Sequence, residues 1–134
     1  MAVAKDSDVT GFEDLKGGLV AVKTGTESKT YADSLAGDYG FTVMTFESSP
    51  DIYQAVISGQ CIACFDDTPI MADYIKSNGV PLQLVPGTES EGADYGMAIF
   101  NPDNMELIEK FNAGLANIRE NGKYDEILKK YLGE

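Results

Sequence analysis

The chain has 134 residues, 43% of them apolar and 24% charged, with a formal net charge of −12 and no histidine. That length suits one domain with a real core, and the composition fits a globular chain rather than a disordered one. The acidity argues against a nucleic-acid partner, which needs clustered Lys and Arg, and the missing histidine removes the commonest general base and the commonest metal ligand. No apolar run is long enough to span a membrane. Residues 1–6 lack the basic and apolar regions of a secretion signal, so any export signal is expected outside this chain.

Residues 1–5 read as a short apolar strand, 6–11 as a polar turn, and 12–18 as one helical turn closed by glycine. The apolar run 19–23 then breaks into Thr24-Gly25-Thr26-Glu27-Ser28 ahead of a helical pattern from Lys29 to Leu35 that Gly37 and Gly40 end. Such a run predicts a buried parallel strand with a βα turn at its carboxyl end. Ligands bind at such ends, because the first N–H groups of a helix have no partner within it and the helix dipole is positive there. A carboxylate suits this turn; alternatively, Gly25 and Thr26 merely make the bend and cap the helix.

Residues 41–46 alternate and predict a strand, and Ser48-Ser49-Pro50-Asp51 opens an amphipathic helix carrying Ile52, Ala55, Val56 and Ile57. Residues 62–65 predict another strand, ending in Asp66-Asp67-Thr68-Pro69 before a helix over 70–76. Two consecutive charges there are either a helix cap with a solvated neighbour or part of a ligand site. Cys61 and Cys64 have the spacing of a redox or metal motif, but they fall in the apolar strand pattern, where positions three apart face opposite sides. Two buried thiols are the preferred reading, and two ligands alone make no zinc site. Strands are predicted at 82–85 and 95–100, followed by a helix through Met105, Leu107, Ile108, Phe111, Leu115 and Ile118 to Asn121-Gly122, and a last helix over 124–132. The alternation β-α-β-α-β-α-β predicts an α/β fold: a mostly parallel sheet with helices on both faces and two C-terminal helices.

Several of these stretches in this order carry a resemblance: Asp14-Leu15-Lys16-Gly17, Val20-Ala21-Val22-Lys23-Thr24-Gly25-Thr26, Phe65-Asp66-Asp67-Thr68-Pro69, Tyr95-Gly96-Met97-Ala98 and Asn121-Gly122-Lys123-Tyr124-Asp125. Together they resemble extracellular solute-binding protein family 3, the amino-acid-binding subunits of ABC importers, and most of all its glutamine-binding branch. The resemblance implies a lobe of the type II periplasmic binding-protein fold, in a protein whose two α/β lobes close on an amino acid. On this basis residues 1–6 are expected to be a hinge strand, 7–94 the second, ligand-binding lobe, and 95–134 the return strand and C-terminal helices that pack on the first lobe. Met1 would then be an excision point or internal start.

The resemblance also implies roles. Gly25, Thr26 and Glu27 fall where the family offers backbone and hydroxyl donors to a ligand α-carboxylate, although Glu27 stands where glycine or threonine is usual. Asp67 matches the aspartate that pairs the α-ammonium, Lys23 a lysine that contacts a side-chain amide, and Asp66 an adjoining polar position. Ile62 replaces an aspartate common just before the strand. The implied function is the substrate-binding component, or a fragment of it, of an importer for a polar amino acid such as glutamine. Its partners would be the free amino acid and the transporter's membrane subunits, in an extracellular, periplasmic or lipoprotein-anchored location. No cofactor, metal or catalytic residue is implied. Two alternatives stay open: a small-acid dehydratase-like enzyme using Asp66 or Asp67 as general acid, and an isolated lobe that self-associates as a homodimer through its C-terminal helices.

Overall fold

The computed structural model describes residues 1–92 and 95–132. Its strands are β1 (Ala2–Ala4), β2 (Leu19–Lys23), β3 (Thr42–Phe46), β4 (Ala63–Phe65) and β5 (Leu82–Leu84). Its helices are α1 (Glu27–Tyr39), α2 (Ser49–Ile57), α3 (Thr68–Asn78), α4 (Glu106–Glu120) and α5 (Lys123–Leu132), with single 3-10 turns at Phe12–Leu15 and Pro102–Asn104. The chain divides into two compact units, Met1–Glu91 and Gly92–Glu134.

In the first unit the strands form one sheet in the order β3-β2-β4-β1-β5. Strand β2 pairs in parallel with β3 on one side and β4 on the other, whereas β1 runs antiparallel to both β4 and β5. The sheet is thus mixed, and the antiparallel element is the chain's first strand. Pairing follows the apolar alternation. Val20, Val22, Ala63 and Phe65 point to one face, where Leu15, Ala32 and Phe41 cover them. Ala21 and Cys64 point to the other, under Ile52, Tyr53, Ala55 and Val56 of α2 and Met71 of α3. Burial on both faces is what a continuous apolar run such as 19–23 encodes, and the period of two assigns its residues to alternate layers.

The helix termini follow local chemistry. Gly40, at φ 70°, ends α1, and its N–H donates to the Ala36 carbonyl. Gly37 lies inside α1 and does not terminate it, because no left-handed residue is required before Gly40. Ser48 caps α2, its hydroxyl oxygen accepting from the Asp51 N–H at 3.3 Å.

Both cysteines are reduced and buried in the same cluster beneath α2 and α3. The opposite-face expectation fails because β4 begins only at Ala63, so Cys61 precedes the pleated segment and is free to turn inward. Residues 95–100 pair with no strand among the described residues, and Phe100 is 96% exposed. The sequence pattern is strand-like, but a strand forms only with a neighbour to supply its ladder.

In the second unit the Asn101 side chain accepts from the Asp103 N–H at 3.0 Å to start the 3-10 turn. Asn121 in turn accepts from the Lys123 N–H at 3.0 Å between α4 and α5. Met105, Leu107 and Phe111 of this unit, with Ile127 and Tyr131, are exposed apolar side chains. No helix among the described residues is long and apolar enough to cross a membrane.

Burial pushes the Cys61 thiol above its ordinary range and the Cys64 thiol up to about 12. Since the thiolate is the reactive form, the folded chain is expected to resist a thiol reagent at mildly alkaline pH. Both cysteines should react rapidly once urea unfolds it, and fast titration of either thiol in the native chain would contradict the packing described.

Candidate functional site

Three parallel strands end on one edge of the sheet, and their partners fix which residues meet there. Lys23 is opposite Phe46 of β3, and Val22 is opposite Phe65 of β4. The residues that leave β2 and β4 next, Lys23 and Asp66, therefore emerge side by side. From β2 the chain turns to α1, whose Ala32 packs on one face; from β4 it turns to α3, whose Met71 packs on the other. Neighbouring strands whose connections diverge in this way leave a crevice between them, the place where open α/β sheets bind ligands.

The first turn is closed by its own atoms. The Thr24 N–H donates to the Phe46 carbonyl at 2.9 Å, tying the turn to the end of β3. Gly25 sits at φ 72°, in the left-handed region where a side chain is strained. Thr26 is the N-cap of α1. Its hydroxyl donates to the Lys23 carbonyl at 2.7 Å, and the same oxygen accepts from the Lys29 N–H at 3.3 Å. The hydroxyl proton assigned by resemblance to a ligand is thus spent on Lys23. What remains for an anion is the set of backbone N–H groups that opens the helix, with the dipole behind them. Glu27, exposed in the first helical turn, complements that dipole. Lys23 is half-buried.

In the second turn the Asp66 carboxylate accepts two hydrogen bonds: Oδ2 from the Tyr53 hydroxyl at 2.7 Å, and Oδ1 from the Asp67 N–H at 2.9 Å. Tyr53 lies in the α2 core, 1% exposed, with its ring 4.5 Å from that of Tyr74 on α3. Burial, and then the bond to Asp66, push its phenol far above the ordinary tyrosine range, so it stays a donor. Asp67 is the N-cap residue of α3, with extended backbone angles, yet its side chain makes no capping hydrogen bond. An aspartate at this position usually accepts from the helix's own N–H groups; this one does not cap the helix.

The six positions singled out from sequence, Lys23, Gly25, Thr26, Glu27, Asp66 and Asp67, therefore belong to two adjacent turns on one sheet edge. Tyr53 was not among them. Its signal was a tyrosine on the buried face of an apolar helix, since a buried hydroxyl requires a partner. A shallow depression lined by Ala4, Lys5, Asp6, Ile57 and Pro81 lies at the opposite edge, where antiparallel β1 ends. Among the described residues no three His, Cys, Asp or Glu side chains gather as a metal site.

A sequence model of the bacterial extracellular solute-binding proteins, family 3, matches residues 1–134. The arginine-binding extracellular protein ArtP of Bacillus subtilis is 31% identical over 130 residues, which are 96% of this chain and 50% of that protein. The open conformation of substrate binding domain 2 of Lactococcus lactis GlnP matches with a TM-score of 0.72 at 38% identity, over 99% of this chain and 57% of that one. An ancestral arginine-binding protein bound to glutamine matches with a TM-score of 0.78 at 32% identity, over 99% of this chain and 58% of that one. The chain spans about half the length of the curated relatives it matches.

The closed first turn has a measurable cost of opening. Gly25→Ala places a side chain at positive φ and should destabilise the chain by about 1 kcal/mol in urea unfolding. Thr26→Ala should cost about 1 kcal/mol through the lost cap, whereas Thr26→Ser, which keeps the hydroxyl, should cost less.

Proposed function

The chain belongs to the bacterial extracellular solute-binding proteins of family 3, and on that premise we propose that it is the ligand-gripping lobe of an amino-acid receptor serving an ABC importer. The observation that carries this reading is the juxtaposition of two unlike turns at one crevice. One offers the N–H groups that open α1 beside a lysine; the other presents two aspartates where β4 runs into α3. An α-amino acid carries the complementary pair of charges on one carbon.

In this reading the N–H groups of Gly25, Thr26 and Glu27 hold the α-carboxylate and Asp67 pairs the α-ammonium, a charge-assisted contact. Lys23, beside them at the end of β2, reaches the ligand's side chain. A lysine there favours a neutral amide over a guanidinium, which supports glutamine among polar amino acids even though ArtP is described as binding arginine. The membrane subunits of the importer would be its macromolecular partners, on the outer side of the cytoplasmic membrane. Binding rather than catalysis fits the residues on this edge: the chain holds no histidine, and both oxygens of the Asp66 carboxylate are engaged, by the Tyr53 hydroxyl and the Asp67 N–H.

A lobe presents its grip without enclosing the ligand, and enclosure supplies most of the affinity of small-molecule sites. The 134-residue chain is therefore expected to bind glutamine weakly, in fast exchange. Titration followed by amide NMR should move the signals of Gly25, Thr26, Glu27 and Asp67. Asp67→Asn should weaken the interaction by about tenfold or more, the worth of a hydrogen bond to a charged group. Shifts confined to other parts of the chain would refute the assignment, and stronger binding of arginine than of glutamine would refute the role given to Lys23.

A further inference from the structure

We propose that Tyr53 is a positioning residue for the ammonium-binding aspartate, acting through Asp66, so that Asp66 is the relay and not itself a contact of the ligand. This rests on the amino-acid-binding reading of the crevice.

The geometry is a chain of two hydrogen bonds that crosses between elements. Tyr53 stands on α2, packed among Ile52, Ala55, Val56, Cys64 and Met71 in the layer below the sheet. Its ring meets Tyr74 of α3 at 4.5 Å and an angle of 40°, which fixes the plane from which the hydroxyl projects. That hydroxyl donates to Asp66 Oδ2 at 2.7 Å, thirteen residues further along the chain, at the mouth of the crevice. The other oxygen, Asp66 Oδ1, accepts from the backbone N–H of Asp67 at 2.9 Å. The carboxylate thus bridges a rigid core ring to the peptide group of the residue whose side chain is assigned to the ligand.

Two features set this apart from ordinary satisfaction of a buried hydroxyl. First, the group that accepts the Tyr53 proton is a carboxylate on a different element, although the Ser49 hydroxyl lies beside it on α2 itself. Second, the N–H that Asp66 takes up belongs to the N-cap residue of α3, whose side chain does not perform the capping role that the position normally assigns. The backbone at Asp67 is thus fixed by its neighbour's carboxylate rather than by a cap from its own side chain. Buried tyrosine and fixed carboxylate together preorganise the turn, and preorganisation lowers the ordering cost of binding. Burial and the bond to Asp66 hold the Tyr53 phenol far above its ordinary range, so its hydroxyl remains a donor in this bridge.

The test is Tyr53→Phe in the full chain, with Asp66→Asn as a second variant that removes no packed ring. Two ligands are titrated by NMR: glutamine, and glutaramic acid, which keeps the carboxylate and the amide but lacks the α-ammonium. Both variants should lose glutamine affinity about fivefold to tenfold while binding glutaramic acid as the unsubstituted chain does. Equal loss for the two ligands, as a general structural role would give, or no loss for glutamine, overturns the proposal. A readout without ligand runs alongside: hydrogen exchange at the Asp67 amide should rise several-fold in both variants, with the amides of β2 and α1 unchanged. Failure of the unsubstituted chain to bind glutamine would refute the function reading and, with it, the assignment of Tyr53 to ligand positioning. Unchanged exchange at Asp67 would refute the relay alone.

Discussion

The parallel ladder between β2 and β4 is the constraint on which the rest of the structure depends. Both strands are buried on both faces, so neither can expose polar chemistry along its length. Polar groups are displaced to where the backbone leaves the sheet. Because Val22 is in register with Phe65, the two exits are adjacent. Because α1 and α3 cover opposite faces, the exits diverge. The crevice, the charges that flank it and the helix N-terminus that opens on it all follow from three apolar residues of β2 pairing with three of β4.

Much of this was legible in the chain. Residues 19–28 announce a buried strand and a βα turn because a Val/Leu run without alternation has few other uses and because Gly and Thr have specific work in the bend. The aspartates after β4 were visible as charges at the end of an apolar strand. The direction of β1 was not, since three apolar residues encode burial but not which neighbours they pair with or in which sense. Likewise, the pattern of residues 95–100 encodes readiness to pair, while a ladder needs a second strand that no local pattern supplies. The shared layer of Cys61 and Cys64 depended on where the pleat begins, a matter of two residues that periodicity does not resolve.

Tyr53 shows a different limit. As a member of an amphipathic face it scores as core, and it is core. Its hydroxyl gains meaning only from a residue thirteen positions away, brought near by the crossover from α2 through β4. Local patterns report on which side a residue lies. They are silent on what its polar tip will meet, and sites are assembled from such meetings. The same applies to Thr26, whose cap was foreseeable and whose hydrogen bond to Lys23 depends on the tightness of the turn.

On the proposed amino-acid-binding reading, the inward commitment of the Thr26 hydroxyl has a consequence for how such a lobe diversifies. If the anion is held by peptide N–H groups alone, that part of the grip is insensitive to which side chains occupy the turn, provided a glycine keeps the bend and a hydroxyl keeps the cap. Evolution can then vary the surrounding residues, Glu27 among them, without dismantling the common anchor. On that proposed reading, recognition of the backbone shared by amino acids would be separated from discrimination among their side chains. One scaffold can therefore drift between specificities through substitutions that never touch its most general contact.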